Sequence, residues 1–162
     1  MIKIVYPCFN NYDLMFGENE EFLIKHKNIV IVIDDRSSAV ESDKGRAWCE
    51  KNGIKFLKNP SKGIQSAIDH IIQKHCSDSD WILVMQQDIY FLDDDIVERL
   101  IERIKNINKK NYKIGAFGFP NYVRDSHYHP NVEDNALITW KNCWLGLFTL
   151  SHATYYKNQT LL

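Results

Sequence analysis

At 162 residues, with 20 Lys plus Arg against 21 Asp plus Glu, the chain suits one compact domain and lacks the charge excess that draws proteins to nucleic acid or anionic membranes. Its four cysteines are scattered without a C-x-x-C pair, which excludes a zinc knuckle or thioredoxin-type motif and fits free thiols in a reducing compartment. The opening run, MIKIVYPCFN, is too short for a signal sequence. No segment reaches the roughly 18 to 20 apolar residues of a membrane span, so a cytoplasmic protein with no integral membrane segment is expected.

In chain order the predicted strands are KIVY over 3–6, NIVIVI over 28–33, IKFL over 54–57, WILVM over 81–85 and IGAFGF over 114–119. Stretches of helical period separate them, the pattern of βαβ units in an α/β fold with a mostly parallel sheet. Continuous apolar character in the second and fourth implies burial on both faces, hence helices on both sides of the sheet. One helix is read from SKGIQSAIDHIIQKHC, where Ile64, Ile68, Ile71, Ile72 and His75 form one stripe and Ser61 is the predicted cap. Another is read from DDDIVERLIERIKNI, with Ile96, Val97, Leu100, Ile101, Ile104 and Ile107 on one face. Its three leading aspartates read as helix-start residues rather than catalytic ones, because carboxylates there favour the helix dipole. After Phe119 the pattern weakens into the polar, aromatic-rich NYVRDSHYHPNVEDN, read as a loop, followed by an apolar stretch over 136–150.

Ligands of an open α/β sheet bind outside the carboxyl ends of its strands. The first predicted strand ends in Pro7-Cys8-Phe9-Asn10-Asn11, the second in Asp34-Asp35-Arg36-Ser37-Ser38, the third in Lys58-Asn59-Pro60 and the fourth in Gln86-Gln87-Asp88, so all four sets are expected on one rim. Carboxylates from separate strands on one rim raise each other's pKa unless a counter-charge joins them, and a divalent cation carried by a polyphosphate supplies one. Mg2+ or Mn2+, using oxygen ligands and few protein carboxylates, fits Asp88. DDRSS keeps a second reading as a turn that caps the next helix. Cys8 has no partner base in the sequence and reads as a small buried filler.

The ordered series IVYPCFNN, VIDDRSS, NPSKGIQSAID and MQQDIYF resembles the nucleotide-diphospho-sugar transferases of Rossmann-like GT-A fold, particularly family 2 glycosyltransferases. QQDIYF, the helix after it and IGAFGF are similar to the streptomycin-biosynthesis-type branch. The resemblance covers about 2–119 and, more weakly, 144–156. It implies a single domain over 1–162, with a nucleotide-binding half over 1–119 and acceptor-side loop and strands over 120–162.

Carried onto this chain, the resemblance places Pro7 and Phe9 beside the base, with Asn10 in the same nucleotide-binding loop. Asp34 or Asp35 would then hold the base or ribose, and Asp88 the metal bridging the diphosphate. Gln86 stands where the family usually has aspartate, giving an amide contact to ribose. Ile68, Asp69 and Ile71 replace the usual arginine, asparagine and glycine, so a diphosphate clamp falls to Lys62 or Arg36; each also reads as a solvated surface charge. The family continues into an acidic motif carrying the general base, whereas this chain stops at Leu162. A truncated domain, or a base drawn from Asp125, Glu133 or Asp134, is therefore expected. His127 and His129 are candidate late metal ligands, with ordinary loop histidines as the plainer reading.

The implied activity is transfer of a sugar from a nucleoside-diphosphate sugar to a glycan or other acceptor hydroxyl, with inversion and with Mn2+ or Mg2+ as cofactor. Tyr122, Tyr128, Trp140 and Trp144 are candidates to stack on the acceptor or to pack the loop. A non-catalytic nucleotide-sugar or glycan-binding domain is the alternative. A nucleotidyltransferase is the second; that class opens with a glycine-rich basic loop, and PCFNNYD contains no glycine.

Overall fold

The computed structural model describes residues 1–87, 95–108, 116–118 and 149–153. The first strand, β1 (Ile2–Cys8), is followed by α1 (Tyr12–Lys25), β2 (Val30–Asp34), α2 (Ala39–Asn52), β3 (Lys55–Lys58), α3 (Ile64–His75), β4 (Trp81–Val84), α4 (Ile96–Asn108), β5 (Ala116–Gly118) and β6 (Thr149–His152). The sheet order is β3-β2-β1-β4-β6-β5. Strands β3, β2, β1 and β4 are mutually parallel, while β6 runs antiparallel to both β4 and β5.

Alternate residues of β2 feed two cores, which is why the run over 29–33 is unbroken by a polar residue. Val30 and Val32 pack with Ile4, Tyr6, Leu83, Tyr12, Met15 and Leu23 on the face covered by α1, α2 and α4. Ile31 and Ile33 pack with Val5, Ile82, Val84, Ile68, Ile71 and Ile72 on the α3 face. Each fully buried aliphatic or aromatic side chain stabilises the fold by roughly 1.5–3 kcal/mol relative to exposure.

Helix α1 buries Tyr12, Met15, Phe16, Asn19, Phe22 and Leu23, a 3.6-residue period, and Phe16 stacks on Trp48 of α2 with ring centroids 3.9 Å apart. Helix α2 starts at Ser38, whose hydroxyl accepts the Glu41 N–H, and stops at Gly53, whose φ of 71° is open to glycine at little cost. The stripe predicted for α3 is buried at Ile68, Ile71 and Ile72, but Ile64 is 42% exposed. Ser61 is not its cap. Gly63 occupies that position, and the Ser61 N–H turns back to Asn59 Oδ1 at 3.2 Å. In α4, Val97 and Leu100 are buried, and the Asp95 carbonyl accepts the Arg99 N–H at the helix start. Asp93 and Asp94 lie outside the described residues. Among the described residues no helix is long and apolar enough to cross a membrane.

Candidate nucleotide site at the sheet switch point

Strand order reverses between β1 and β4: the chain steps outward from β1 to β2 to β3, then returns across the opposite face through α3 to form β4. Open α/β sheets place ligands at this reversal, beyond the carboxyl ends of the strands. The register brings those ends together, with Cys8 beside Asp34 and Asp34 beside Lys58.

Pro7 shapes the opening. Parallel pairing sends alternate residues of β1 to alternate neighbours; the Val5 carbonyl accepts the Met85 N–H on the β4 side, while the Cys8 carbonyl accepts the Asp35 N–H on the β2 side. By that alternation Pro7 faces β4, where it has no N–H to offer, and the β1–β4 register ends at Val5 and Val84. The backbone pairing of the two strands therefore stops short of the rim. Phe9 follows, its side chain 57% exposed, and Asn10 and Asn11 turn the chain into α1 with φ of 54° and 53°, a region asparagine tolerates better than most residues. Asn10 Oδ1 accepts the Ser38 N–H at 2.9 Å, and the Asn10 N–H donates to Ser37 Oγ at 2.8 Å, which locks this loop to the β2–α2 loop.

The adjacent aspartates have different surroundings. Asp34 is 3% exposed and its Oδ1 accepts the Tyr12 hydroxyl at 2.8 Å. Burial, then the neighbouring Cys8, then the Asp34 bond and charge push the Tyr12 phenol well up, so it stays a donor at any working pH. Asp35 faces the other way: its Oδ1 accepts from Asn59 Nδ2 at 2.8 Å, and both its oxygens accept the Gly63 N–H, at 2.9 and 3.1 Å. The anion at the α3 N-terminus is thus Asp35 itself. Ser38 caps α2, so the capping reading of DDRSS holds for its serine while its two aspartates serve Tyr12 and the β3–α3 loop.

Lys62 lies exposed in that β3–α3 loop. Arg36, also exposed, has φ of 62° and donates from Nη2 to the Pro60 carbonyl at 3.3 Å. Gln86 and Gln87 end β4, both half-buried. Cys8 is fully enclosed; burial, then Cys49 and Asp34, push its thiol well up, which suits a core filler and not a nucleophile. A groove beside the rim is lined by Asn11, Asp13, Leu14, Gly17, Glu18 and Glu41, and its carboxylates would repel a diphosphate.

Among the described residues no group of three His, Cys, Asp or Glu side chains is placed to hold a metal. Asp88, Asp125, His127, His129, Glu133 and Asp134 lie outside the described residues, as do Tyr122, Tyr128, Trp140 and Trp144. Sequence reasoning places Asn59 and Gln87 on the rim without a role and passes over Tyr12. The contacts through which the three act leave no local pattern.

The sheet order, with four parallel strands and an antiparallel β6, is that of a Rossmann-like GT-A fold. The chain belongs to the MobA-like NTP transferase domain family, whose model matches residues 23–121. No curated protein matches it. Among solved structures it is similar to the mannosyltransferase PcManGT from Pyrobaculum calidifontis, in complex with GDP-Man and Mn2+, at TM-score 0.54 and 14% identity over 71% of this chain and 34% of that one. It is also similar to S. aureus TarS 1–349, at TM-score 0.51 and 16% identity over 65% of this chain and 32% of that one. The chain thus spans about a third of the length of each.

Proposed function

We propose that the protein transfers a glycosyl group from a nucleoside-diphosphate sugar to an acceptor hydroxyl. One observation carries this reading: the strand ends that bear Phe9, Asp34 and Gln86 flank the point where strand order reverses, and the β1–β4 register stops short of Pro7 there. In this reading the exposed Phe9 ring borders the base, with Pro7 and Asn10 shaping its loop. Asp34 holds the base or ribose, since its bond to Tyr12 engages Oδ1 alone. Asp35 is committed to Asn59 and Gly63 and supports the site by fixing the β3–α3 loop. Gln86 offers an amide to ribose, and Lys62 reaches toward the diphosphate.

The sugar C1–O bond to the diphosphate breaks and a C1–O bond to the acceptor forms. The acceptor proton passes to a carboxylate, for which Asp125, Glu133 and Asp134 are the candidates, and the configuration at C1 inverts. The described residues do not complete a cation site, so Mn2+ or Mg2+ is assigned to Asp88, next in the chain after Gln87, with His127 or His129 as further donors. Such a cation, when bound, neutralises charge gathering on the departing diphosphate. Residues 120–162 form the acceptor side.

Nucleotidyl transfer is the second reading, favoured by the family model. Against it, the loop after β1 contains no glycine, and the family match begins at residue 23, beyond that loop. The deciding experiment offers a panel of nucleoside-diphosphate sugars with glycan acceptors, and separately nucleoside triphosphates with sugar 1-phosphates, each with and without Mn2+. Release of a nucleoside diphosphate with sugar transfer or hydrolysis supports glycosyl transfer. Pyrophosphate release from a triphosphate contradicts it, and binding without turnover assigns a non-catalytic nucleotide-sugar module.

A further inference from the structure

Gln87 meets the backbone of Phe9 twice. The Phe9 N–H donates to Oε1 at 2.9 Å, and Nε2 donates to the Phe9 carbonyl at 3.4 Å. By the alternation of β1, Phe9 presents these groups toward β4, where the backbone ladder has already ended at Val5 and Val84. The side-chain amide therefore does what a further ladder residue would do, and it does so across the mouth of the switch-point crevice.

The consequence falls on the ring. Phe9 is the first residue beyond β1; Asn10 ties the loop after it to the β2–α2 loop, and Gln87 supplies the tie to Phe9 itself on the β4 side. With donor and acceptor both held, its backbone is fixed and only the side-chain rotamers are left for the exposed ring to search. A platform ordered before the ligand arrives loses less entropy on binding.

We infer that Gln87 is a positioning residue, which holds Phe9 as the aromatic platform that reads the nucleobase; this rests on the nucleotide-sugar reading of the same rim. Gln87 touches the ligand only through Phe9. Its loss should therefore weaken ligands that carry a base and leave a bare diphosphate unaffected. Gln87→Glu keeps the acceptor, removes the donor and sets a carboxylate against the Phe9 carbonyl, so it should behave like Gln87→Ala.

The test is calorimetric titration of the full chain with a panel of nucleoside diphosphates and with inorganic pyrophosphate, in wild type, Gln87→Ala, Gln87→Glu, Phe9→Ala and the Phe9→Ala/Gln87→Ala double variant. The expected result is a loss of about three- to tenfold for the best nucleoside diphosphate in either Gln87 variant, the size of one or two neutral hydrogen bonds. Pyrophosphate should bind within about twofold of wild type, and in the Phe9→Ala background the Gln87 substitution should cost nothing further. Hydrogen exchange supplies a ligand-free readout: the Phe9 amide should exchange faster in Gln87→Ala. Wild-type affinity, an equal loss for pyrophosphate, additivity with Phe9→Ala or an unchanged Phe9 amide would each overturn the inference while leaving the glycosyl-transfer reading in place. A wild-type chain that binds no nucleoside diphosphate, even with Mn2+, removes that reading and the inference with it.

Discussion

The Tyr12 hydroxyl donates to Asp34 Oδ1 at 2.8 Å, and the Tyr12 ring is seated against Gly45 of α2. A Cβ built at Gly45 would stand 2.5 Å from Tyr12 Cε1. Helix propensity alone says that Gly→Ala in a helix interior gains about 1 kcal/mol. Here the sign reverses, because the buried ring has to move. Gly45→Ala is expected to lower stability by about 1–3 kcal/mol, seen as a lower urea midpoint at unchanged slope.

Asp35 joins the β2–α2 and β3–α3 loops, accepting from Asn59 Nδ2 and from the Gly63 N–H. Asn59 is 6% exposed, so removing the carboxylate strands one N–H of a buried amide whose nitrogen otherwise reaches only the Gly63 carbonyl, at 3.3 Å. Asp35→Ala should cost about 1–3 kcal/mol in chemical denaturation and accelerate hydrogen exchange at Gly63. An Asp35→Ala protein of wild-type stability would place the organisation of this loop elsewhere.

How far the sequence alone reveals this rim depends on the range of each interaction. β2 and β4 are legible because a strand buried on both faces needs an unbroken apolar run, and both have one. The rim is legible because strand ends follow from strand positions. The partner of Asp34 is not, since Tyr12 lies 22 residues away and nothing around it in the sequence points to the bond. The partner of Gln87 is hidden for the same reason: it is backbone 78 residues away, a pairing that creates no periodicity. Ser61 misleads because its serine suits a cap, but Asp35 draws the Gly63 N–H and moves the helix start two residues on.

Asp80 gives the fold a defined acid response. Burial alone would raise its carboxyl, but the Ser77 amide and hydroxyl and the Met1 ammonium overcome burial and hold it below its ordinary value of 3.8. The Ser77 N–H lies 2.9 Å from Oδ2 and the ammonium 3.3 Å from Oδ1. A carboxyl depressed in the folded state contributes its stability above the unfolded value and loses it as pH falls through the lower folded one. Asp80→Asn should therefore cost on the order of 1 kcal/mol at pH 7, and urea midpoints of mutant and wild type should converge as pH falls below about 4.

If Asp88 carries the cation, Asp88→Asn should weaken Mn2+-dependent diphosphate binding by at least about tenfold, since even outer partners of a metal site commonly govern that much affinity. Binding measured in EDTA should be the same for both proteins. A Mn2+ enhancement that survives the substitution would move the cation to other residues.

The most direct measurement of all is the affinity of Phe9→Ala for a nucleoside diphosphate relative to wild type, because Phe9 is the exposed aromatic residue at the strand-order reversal. Saturable binding by wild type that drops by about tenfold in the variant, the worth of one aromatic stacking contact of about 1–1.5 kcal/mol, places the nucleotide on this rim. Equal affinity in the two proteins would put the ligand somewhere else and contradict the site.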